Sequence, residues 1–285
     1  MSHYPTYEEL TTGFDWSISE KELGYKKGDP LNIGWMCSDR ICKLGLADKP
    51  ALIWDDHLGA EKRYTYNDIR QLSNTIAHFL VGLGIKPGER VCLFMDRVPE
   101  LYIGFLGILK TGAVAQPLFS AFGDESLFVR LTNAQTTAII TQKKHVLKVR
   151  KIRKQLPDLH HIIVVDAGDA PLQERELSFQ MESTPRIENF EVYPTTAESP
   201  SVLHYTSGTT GQPKGAQHVH SSLVSQYLTS KWVLDLKPED VYWCTADPGW
   251  VTGTSYGIIG PWACGVTQVV MDGGFSADRW YAFMQ

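Results

Sequence analysis

A cluster of glycines, hydroxyl side chains and one lysine gives this 285-residue chain its clearest chemical signal. Residues 207–215 read Ser-Gly-Thr-Thr-Gly-Gln-Pro-Lys-Gly and follow an apolar run at 202–205. Glycines let a backbone turn with its N–H groups pointing inward, and such nests bind anions. Hydroxyl groups add donors and reach a phosphate-bound magnesium ion, while Lys214 adds a mobile positive charge. The pattern predicts a cradle for a nucleotide polyphosphate.

The spacing differs from that of the common phosphate-binding loop, in which Gly-x-x-x-x-Gly-Lys is followed by Ser or Thr. Here Gly208 and Gly211 are three residues apart, and Gly215 follows Lys214. By composition alone, a flexible surface turn remains the alternative.

The full string resembles the signature of the adenylate-forming superfamily, which includes acyl-CoA synthetases, luciferases and peptide-synthetase adenylation domains. Residues 31–35, 63–68, 88–91 and 97–101 resemble the opening of acetyl-CoA synthetases. Residues 242–253 read Tyr-Trp-Cys-Thr-Ala-Asp-Pro-Gly-Trp-Val-Thr-Gly and resemble the acetate-binding segment of AMP-forming acetate–CoA ligases.

This resemblance implies a two-step reaction with ATP, Mg²⁺ and coenzyme A. A carboxylate attacks the α-phosphorus of MgATP to give an acyl-adenylate and pyrophosphate, and the CoA thiol then displaces AMP. By the same resemblance, the β- and γ-phosphates of ATP are held by Thr206, Ser207, Gly208, Thr209, Thr210 and Gly211, and the catalytic lysine of this segment is Lys214.

The resemblance also assigns an acid pocket and a coenzyme A contact. The pocket is formed by Trp250, Val251, Thr252 and Gly253, although an aromatic residue and a valine at a strand–helix junction are more often core. Phe119 and Phe122 are expected near the CoA adenine. They enclose Ser120 and Ala121, where many family members have two glycines.

Two other groups of residues suggest chemistry less specifically. Residues 143–154 contain seven Lys or Arg residues over one apolar helix face. This pattern fits a solvated surface, and electrostatic capture of CoA phosphates is the alternative. The nine histidines have no Asp, Glu or Cys partners at ligand spacing, so no metal site is predicted.

The hydrophobic pattern predicts an α/β fold. From residue 90 onward, short apolar strands alternate with amphipathic helices, which predicts layered helices on largely parallel β-sheets. Helices are expected at 67–83, 100–110, 125–133, 146–155, 218–233 and 254–263. Residues 169–200, which are polar and contain four prolines, are expected to be an irregular excursion.

Composition narrows the class of protein. The net charge of −5 provides no basic footprint for nucleic acid. No apolar run is long enough to span a bilayer, and the five cysteines form no Cys-x-x-Cys pair. A cytoplasmic enzyme acting on small molecules is predicted, with no membrane partner; the oligomeric state is not predicted.

The resemblance implies that the chain is the N-terminal portion of a longer enzyme. Motifs that the family places near adenine and ribose, and a C-terminal lid domain with the adenylation lysine, do not occur before Gln285. Residues 1–50 are expected to be an irregular surface wrap, and 51–285 part of a large AMP-binding domain with two α/β subdomains at about 51–170 and 200–285.

An acetate–CoA ligase whose isolated 285-residue chain is inactive is therefore expected. Two alternatives remain: a ligase for propionate or a similar short acid, and a half-protein that binds nucleotide without catalysis.

Overall fold

The computed structural model describes residues 6–56, 58–207 and 211–284, apart from the side chains of Leu10 and Ser207. In chain order, its first part contains α1 (Tyr7–Thr12), α2 (Ser17–Leu23), α3 (Ile33–Met36), α4 (Asp39–Ile41) with a π-helical turn at Cys42–Leu46, β1 (Pro50–Asp55), β2 (Glu61–Thr65), α5 (Tyr66–Gly82), β3 (Arg90–Phe94), α6 (Pro99–Lys110), β4 (Val114–Pro117) and α7 (Asp124–Ala134).

The second part contains β5 (Ala138–Thr141), α8 (Lys143–Ile152) with a 3₁₀ turn at Arg153–Gln155, β6 (His161–Val164), β7 (Glu176–Ser178), β8 (Pro200–Ser207), β9 (Pro213–Val219), α9 (Ser222–Trp232), β10 (Val241–Trp243), α10 (Val251–Thr254), a π-helical turn at Ser255–Ile259, α11 (Gly260–Ala263), β11 (Thr267–Met271) and α12 (Ala277–Met284).

The described strands form two sheets. The larger sheet has the order β7-β6-β5-β3-β4-β8-β9 and is parallel except between β8 and β9. The smaller sheet has the order β10-β11-β1-β2 and is parallel except between β1 and β2. The prediction of an α/β fold with largely parallel sheets is confirmed.

Two central helices show how the sequence sets the packing. Thr65 and Asp68 form a capping box that starts α5, where predicted. The next apolar helix, α6, is buried along its whole length. A Cβ added at Gly107 of α6 would lie 2.8 Å from Ile76 of α5, so a glycine here allows the two helices to approach closely.

The N-terminal segment differs from the predicted irregular surface wrap. Between residues 6 and 46 it forms four short helices and a π-helical turn. Ile33 and Ile41 are completely or almost completely buried in the main core. The fully buried ammonium group of Lys110 donates to Asp39 at 2.7 Å and to Asn74 at 2.7 Å. Residues 31–41 are therefore part of the core, because α6 needs them to cover its outer face.

The predicted helix at 218–233 was too long at its N-terminal end. Residues 213–219 instead form β9, which pairs with β8 in an antiparallel hairpin, and α9 begins only at Ser222. The predicted phosphate loop therefore joins two strands of a hairpin rather than a strand and a helix.

The sheets do not follow the predicted division at residues 170–200. The smaller sheet joins β1 and β2 to β10 and β11, and the larger sheet joins β3–β7 to β8 and β9. Each sheet takes strands from both sides of the excursion, so the two halves of the chain are interleaved. The excursion itself is irregular as predicted, apart from β7.

Candidate functional site

The predicted phosphate loop lies at the end of the β8–β9 hairpin. Thr206 pairs with Lys214 and Ser207 with Pro213, so residues 208–212 connect the strands. Residues directly opposite each other in an antiparallel pair point to the same face, which places Thr206 and Lys214 side by side. Both side chains are exposed. A polar ligand at the loop can therefore reach both of them.

Part of this loop lies outside the described residues. These predicted phosphate-binding residues are Gly208, Thr209 and Thr210. The next residue, Gly211, has a φ of +82°, a left-handed conformation that glycine adopts without steric cost. A Cβ there would meet nothing within 4 Å, so backbone conformation rather than space favours glycine.

The hairpin is fixed to the sheet and to α7. The Tyr205 hydroxyl donates to Asn133 Oδ1 at 2.8 Å and to the Arg130 carbonyl at 3.1 Å. A cavity of about 260 Å³ lies between α7 and residues 211–213. Hydrogen bonds from the end of β8 to α7 therefore support the loop, and the cavity lies beside it.

Residues 247–254, which we call the acid segment because they contain the predicted acid-pocket residues, form a tight turn followed by α10. The Gly249 amide donates to Asp247 Oδ1 at 2.8 Å and the Trp250 amide to the Asp247 carbonyl at 2.9 Å. Burial raises the pKa of the Asp247 carboxyl, partly offset by the bond from Gly249. A Cβ at Gly253 would lie 2.1 Å from the Asp247 carbonyl oxygen. Only glycine fits where α10 crosses this turn.

The acid segment and the predicted CoA aromatic pair are in contact. A Cβ at Gly249 would lie 2.5 Å from the Phe119 amide nitrogen, and the Trp250 and Phe119 ring centroids are 6.4 Å apart. Phe119 and Phe122 pack edge to face at 5.9 Å. Trp250 and Val251 are 50% and 44% exposed, and Thr252 is exposed as well, so these three side chains are open to solvent.

The basic helix α8 has the apolar face that was predicted, with Val146, Val149 and Ile152 buried. Several of its cations are engaged by protein groups. Lys144 pairs with Asp96, Arg150 with Glu176 and Lys151 with Asp124. These ion pairs favour the solvated-surface interpretation over a free phosphate-binding face.

Lys148 is a residue of α8 whose role the sequence did not indicate. Its ammonium group donates to the Ser120 carbonyl at 2.8 Å and to the Phe122 carbonyl at 3.0 Å. It therefore holds the loop that carries the aromatic pair. A single lysine in a basic run gives no sequence signal for this contact.

His204, a histidine within the apolar run of β8, is a second residue that no sequence motif indicated. It is 3% exposed, and its Nε2 lies 2.8 Å from Thr254 Oγ1 in α10. Burial lowers its pKa to about 4, and His218 nearby acts in the same direction. An imidazole between apolar neighbours is the one signal that could have directed attention to it.

No metal cluster and no membrane span occur in the parts of the chain that the structure describes. No group of three or more His, Cys, Asp or Glu side chains there could hold a metal ion. No described helix is long and apolar enough to cross a membrane.

Residues 44–285 match the family model described as AMP-binding enzyme. The chain belongs to this family. It is 39% identical over 280 residues to the acetyl-coenzyme A synthetase of Bacillus subtilis, covering 98% of this chain and 48% of that protein. The acetyl-coenzyme A synthetase of Deinococcus radiodurans is 35% identical over 283 residues, covering 94% of this chain and 43% of that protein.

One solved structure is also similar. The crystal structure of Brucella canis acyl-CoA synthetase superposes with a TM-score of 0.89 at 24% identity, covering 99% of this chain and 50% of that one. At this identity the match supports the fold alone. The chain spans less than half the length of these two curated relatives from the AMP-binding family.

Proposed function

We propose that this chain provides the phosphate-binding loop and part of the acid pocket of an AMP-forming acetate–CoA ligase. The observation that carries the proposal is the contact between two predicted sites that are distant in sequence. The strand that leads to the phosphate loop is hydrogen-bonded through His204 to Thr254, at the end of α10. Relatives named acetyl-coenzyme A synthetase support the choice of reaction.

The proposed chemistry brings two anions together. An acetate oxygen attacks the α-phosphorus of MgATP, and pyrophosphate leaves; the CoA thiol then displaces AMP from the acetyl-adenylate. Oriented N–H groups and cations lower the repulsion in the first step. In this proposal Mg²⁺ enters with ATP as part of the substrate.

Each predicted residue keeps a specific role in the proposal. Lys214 and the 206–211 backbone hold the phosphates, and Lys214 is the catalytic cation. Val251 contacts the acetate methyl group, between Trp250 and the carboxylate end at Thr252 and Gly253. Phe119 and Phe122 lie near CoA.

A cytoplasmic setting is part of the same proposal. All five cysteines are free thiols, which supports a reducing compartment.

The test is acetate-dependent exchange between ATP and pyrophosphate. The gene is read past the codon for Gln285, and the protein encoded by the whole reading frame is assayed beside the 285-residue chain. We expect exchange from a longer protein, and weak ATP binding with little turnover from the isolated chain.

Two substitutions address the phosphate loop. Lys214→Ala and Gly211→Leu should each reduce exchange, Lys214→Ala by about 100-fold, as for loss of a donor to transition-state charge. Lys27→Ala, which removes an exposed lysine of the N-terminal segment, is the matched control. Unchanged ATP kinetics in both loop variants would refute the phosphate role. ATP binding without exchange on any short acid would favour the non-catalytic half-protein.

A further inference from the structure

His204 lies where the two predicted sites meet. It belongs to β8, two residues before Thr206 at the end of that strand. Its ring points into the interior and is 3% exposed. The groups around it come from both sites: Thr254 from α10, His218 from β9, and the Gly249 backbone from the turn before α10.

Thr254 Oγ1 connects His204 to α10. It lies 2.8 Å from His204 Nε2 and 3.1 Å from the Val251 carbonyl oxygen. In the Nε2–H tautomer the imidazole donates to Thr254 and the hydroxyl donates to Val251; in the Nδ1–H tautomer the hydroxyl donates to Nε2. Either tautomer joins β8 to α10 through this bond. Val251 is the residue proposed to contact the acetate methyl group.

Burying an imidazole at this position costs desolvation free energy. Burial strongly disfavours its charged form, with His218 as a second unfavourable neighbour, and lowers its pKa. A leucine would fill apolar space without this desolvation. What the imidazole adds is the directional bond to Thr254.

We propose that His204 is a positioning residue that fixes the 247–254 segment against the strand carrying the phosphate loop. The physical claim, that the bond holds this segment in place, stands on the geometry of the chain alone. Its consequence for catalysis, correct placement of a short carboxylic acid relative to ATP, rests on the function proposed above.

The physical claim is tested by hydrogen exchange on the 285-residue chain without ligands. The reporters are the amides of Gly249, Trp250 and Thr254, which are hydrogen-bonded within the segment. His204→Leu and Thr254→Val should each make these amides exchange about five- to tenfold faster. Because both variants remove the same bond, the double variant should exchange no faster than Thr254→Val alone, which also loses the hydroxyl contact with Val251.

His220→Leu is a matched control. This second buried histidine accepts a hydrogen bond from the Ile33 amide at 3.1 Å, outside the acid segment. Its loss should accelerate exchange around Ile33 and leave residues 249–254 unchanged. Equal effects of His204→Leu and His220→Leu on the acid segment, or no effect of His204→Leu and Thr254→Val, would overturn the proposal. If His204→Leu does not fold, Thr254→Val, which removes the same bond, keeps the test decisive, with His204→Gln as the variant that retains it.

The catalytic consequence is tested in the protein from the whole reading frame. His204→Leu should raise the KM for acetate about tenfold and leave the KM for ATP nearly unchanged, since misplacement affects the acid segment first. His204→Gln, whose terminal amide reaches the position of Nε2 and can donate or accept, should keep the acetate KM near that of the wild type; the shorter His204→Asn should not.

The two proposals fail in distinguishable ways. Absence of acetate- or propionate-dependent exchange in the wild-type protein would reject the proposed function, and the hydrogen-exchange result would still decide the role of His204. Acetate-dependent activity with equal acetate KM in wild type, His204→Leu and His204→Asn would reject the catalytic part of the positioning role alone.

Discussion

Gly253 is the residue at which the acid segment leaves least room for change. An added Cβ would meet the Asp247 carbonyl oxygen at 2.1 Å and its carbon at 2.4 Å, and these are backbone atoms that cannot rotate away. Gly253→Ala should therefore lower the free energy of unfolding by about 3 kcal/mol, the upper range for overpacking. Urea denaturation measures this, with Gly274→Ala as control, because a Cβ there meets nothing within 4 Å. Equal midpoints for the two variants would contradict the close approach.

Val251 is the residue whose size should set the acid preference. It is 44% exposed at the start of α10. Val251→Ala removes two methyl groups and should raise the ratio of kcat/KM for propionate over acetate about tenfold, a typical value for one methylene group. The matched control is Val241→Ala, which shortens an exposed valine of β10. An unaltered preference in Val251→Ala would remove this residue from the pocket.

At the scale of elements, the sequence predicted those helices and strands that interactions between nearby residues determine. The helix at 67–83 follows from its capping box and one apolar face, and the structure has α5 at Tyr66–Gly82. β9 was missed because its alternation is weak: four of its seven residues are exposed, it contains a proline and a glycine, and only pairing with β8 makes it a strand. The site was predicted through short motifs, whereas Lys148 and His204 depend on partners that no local pattern identifies.

The anchoring of the 119–122 loop by α8 predicts different effects for two neighbouring lysines. Lys148→Met loses bonds to two backbone carbonyls and should cost about 2 kcal/mol of unfolding free energy, as bonds from charged groups do. Lys151→Met loses only a surface pair with Asp124 and should cost less than about 1 kcal/mol. Urea denaturation separates the two. The KM for CoA should also rise in Lys148→Met; costs of equal size would mean that the loop is held by other contacts.

At the scale of the whole molecule, the interleaving of the two sheets was beyond sequence analysis. β1 pairs with β11 in parallel, with Leu52 opposite Gln268, although they lie at opposite ends of the chain. Trp262 also donates its indole N–H to the Ala51 carbonyl at 2.9 Å. Periodicity identifies a strand but not its partner, so pairs of high sequence separation cannot be assigned from one sequence.

This interleaving places two neutral histidines deep in the molecule, which predicts sensitivity to mild acid. Burial lowers the pKa of both His204 and His220 to about 4, from an ordinary value near 6.5. As pH falls below about 6.5, the unfolded chain takes up protons that the folded chain refuses, so stability falls until pH approaches 4. Between about pH 7.5 and pH 5, each histidine should cost on the order of 2 kcal/mol.

Variants separate this effect from that of the carboxylates. Hydrogen bonds lower the pKa of Asp96 despite its burial, so its contribution to stability is lost only at more acidic pH. His204→Gln and His220→Gln should each destabilise the chain less at pH 5 than at pH 7.5, because neither variant carries the titrating group. Urea denaturation at both pH values measures this. Equal destabilisation by His204→Gln at the two pH values would mean that this imidazole gains a proton in the folded chain, and hence that the junction between β8 and α10 admits water.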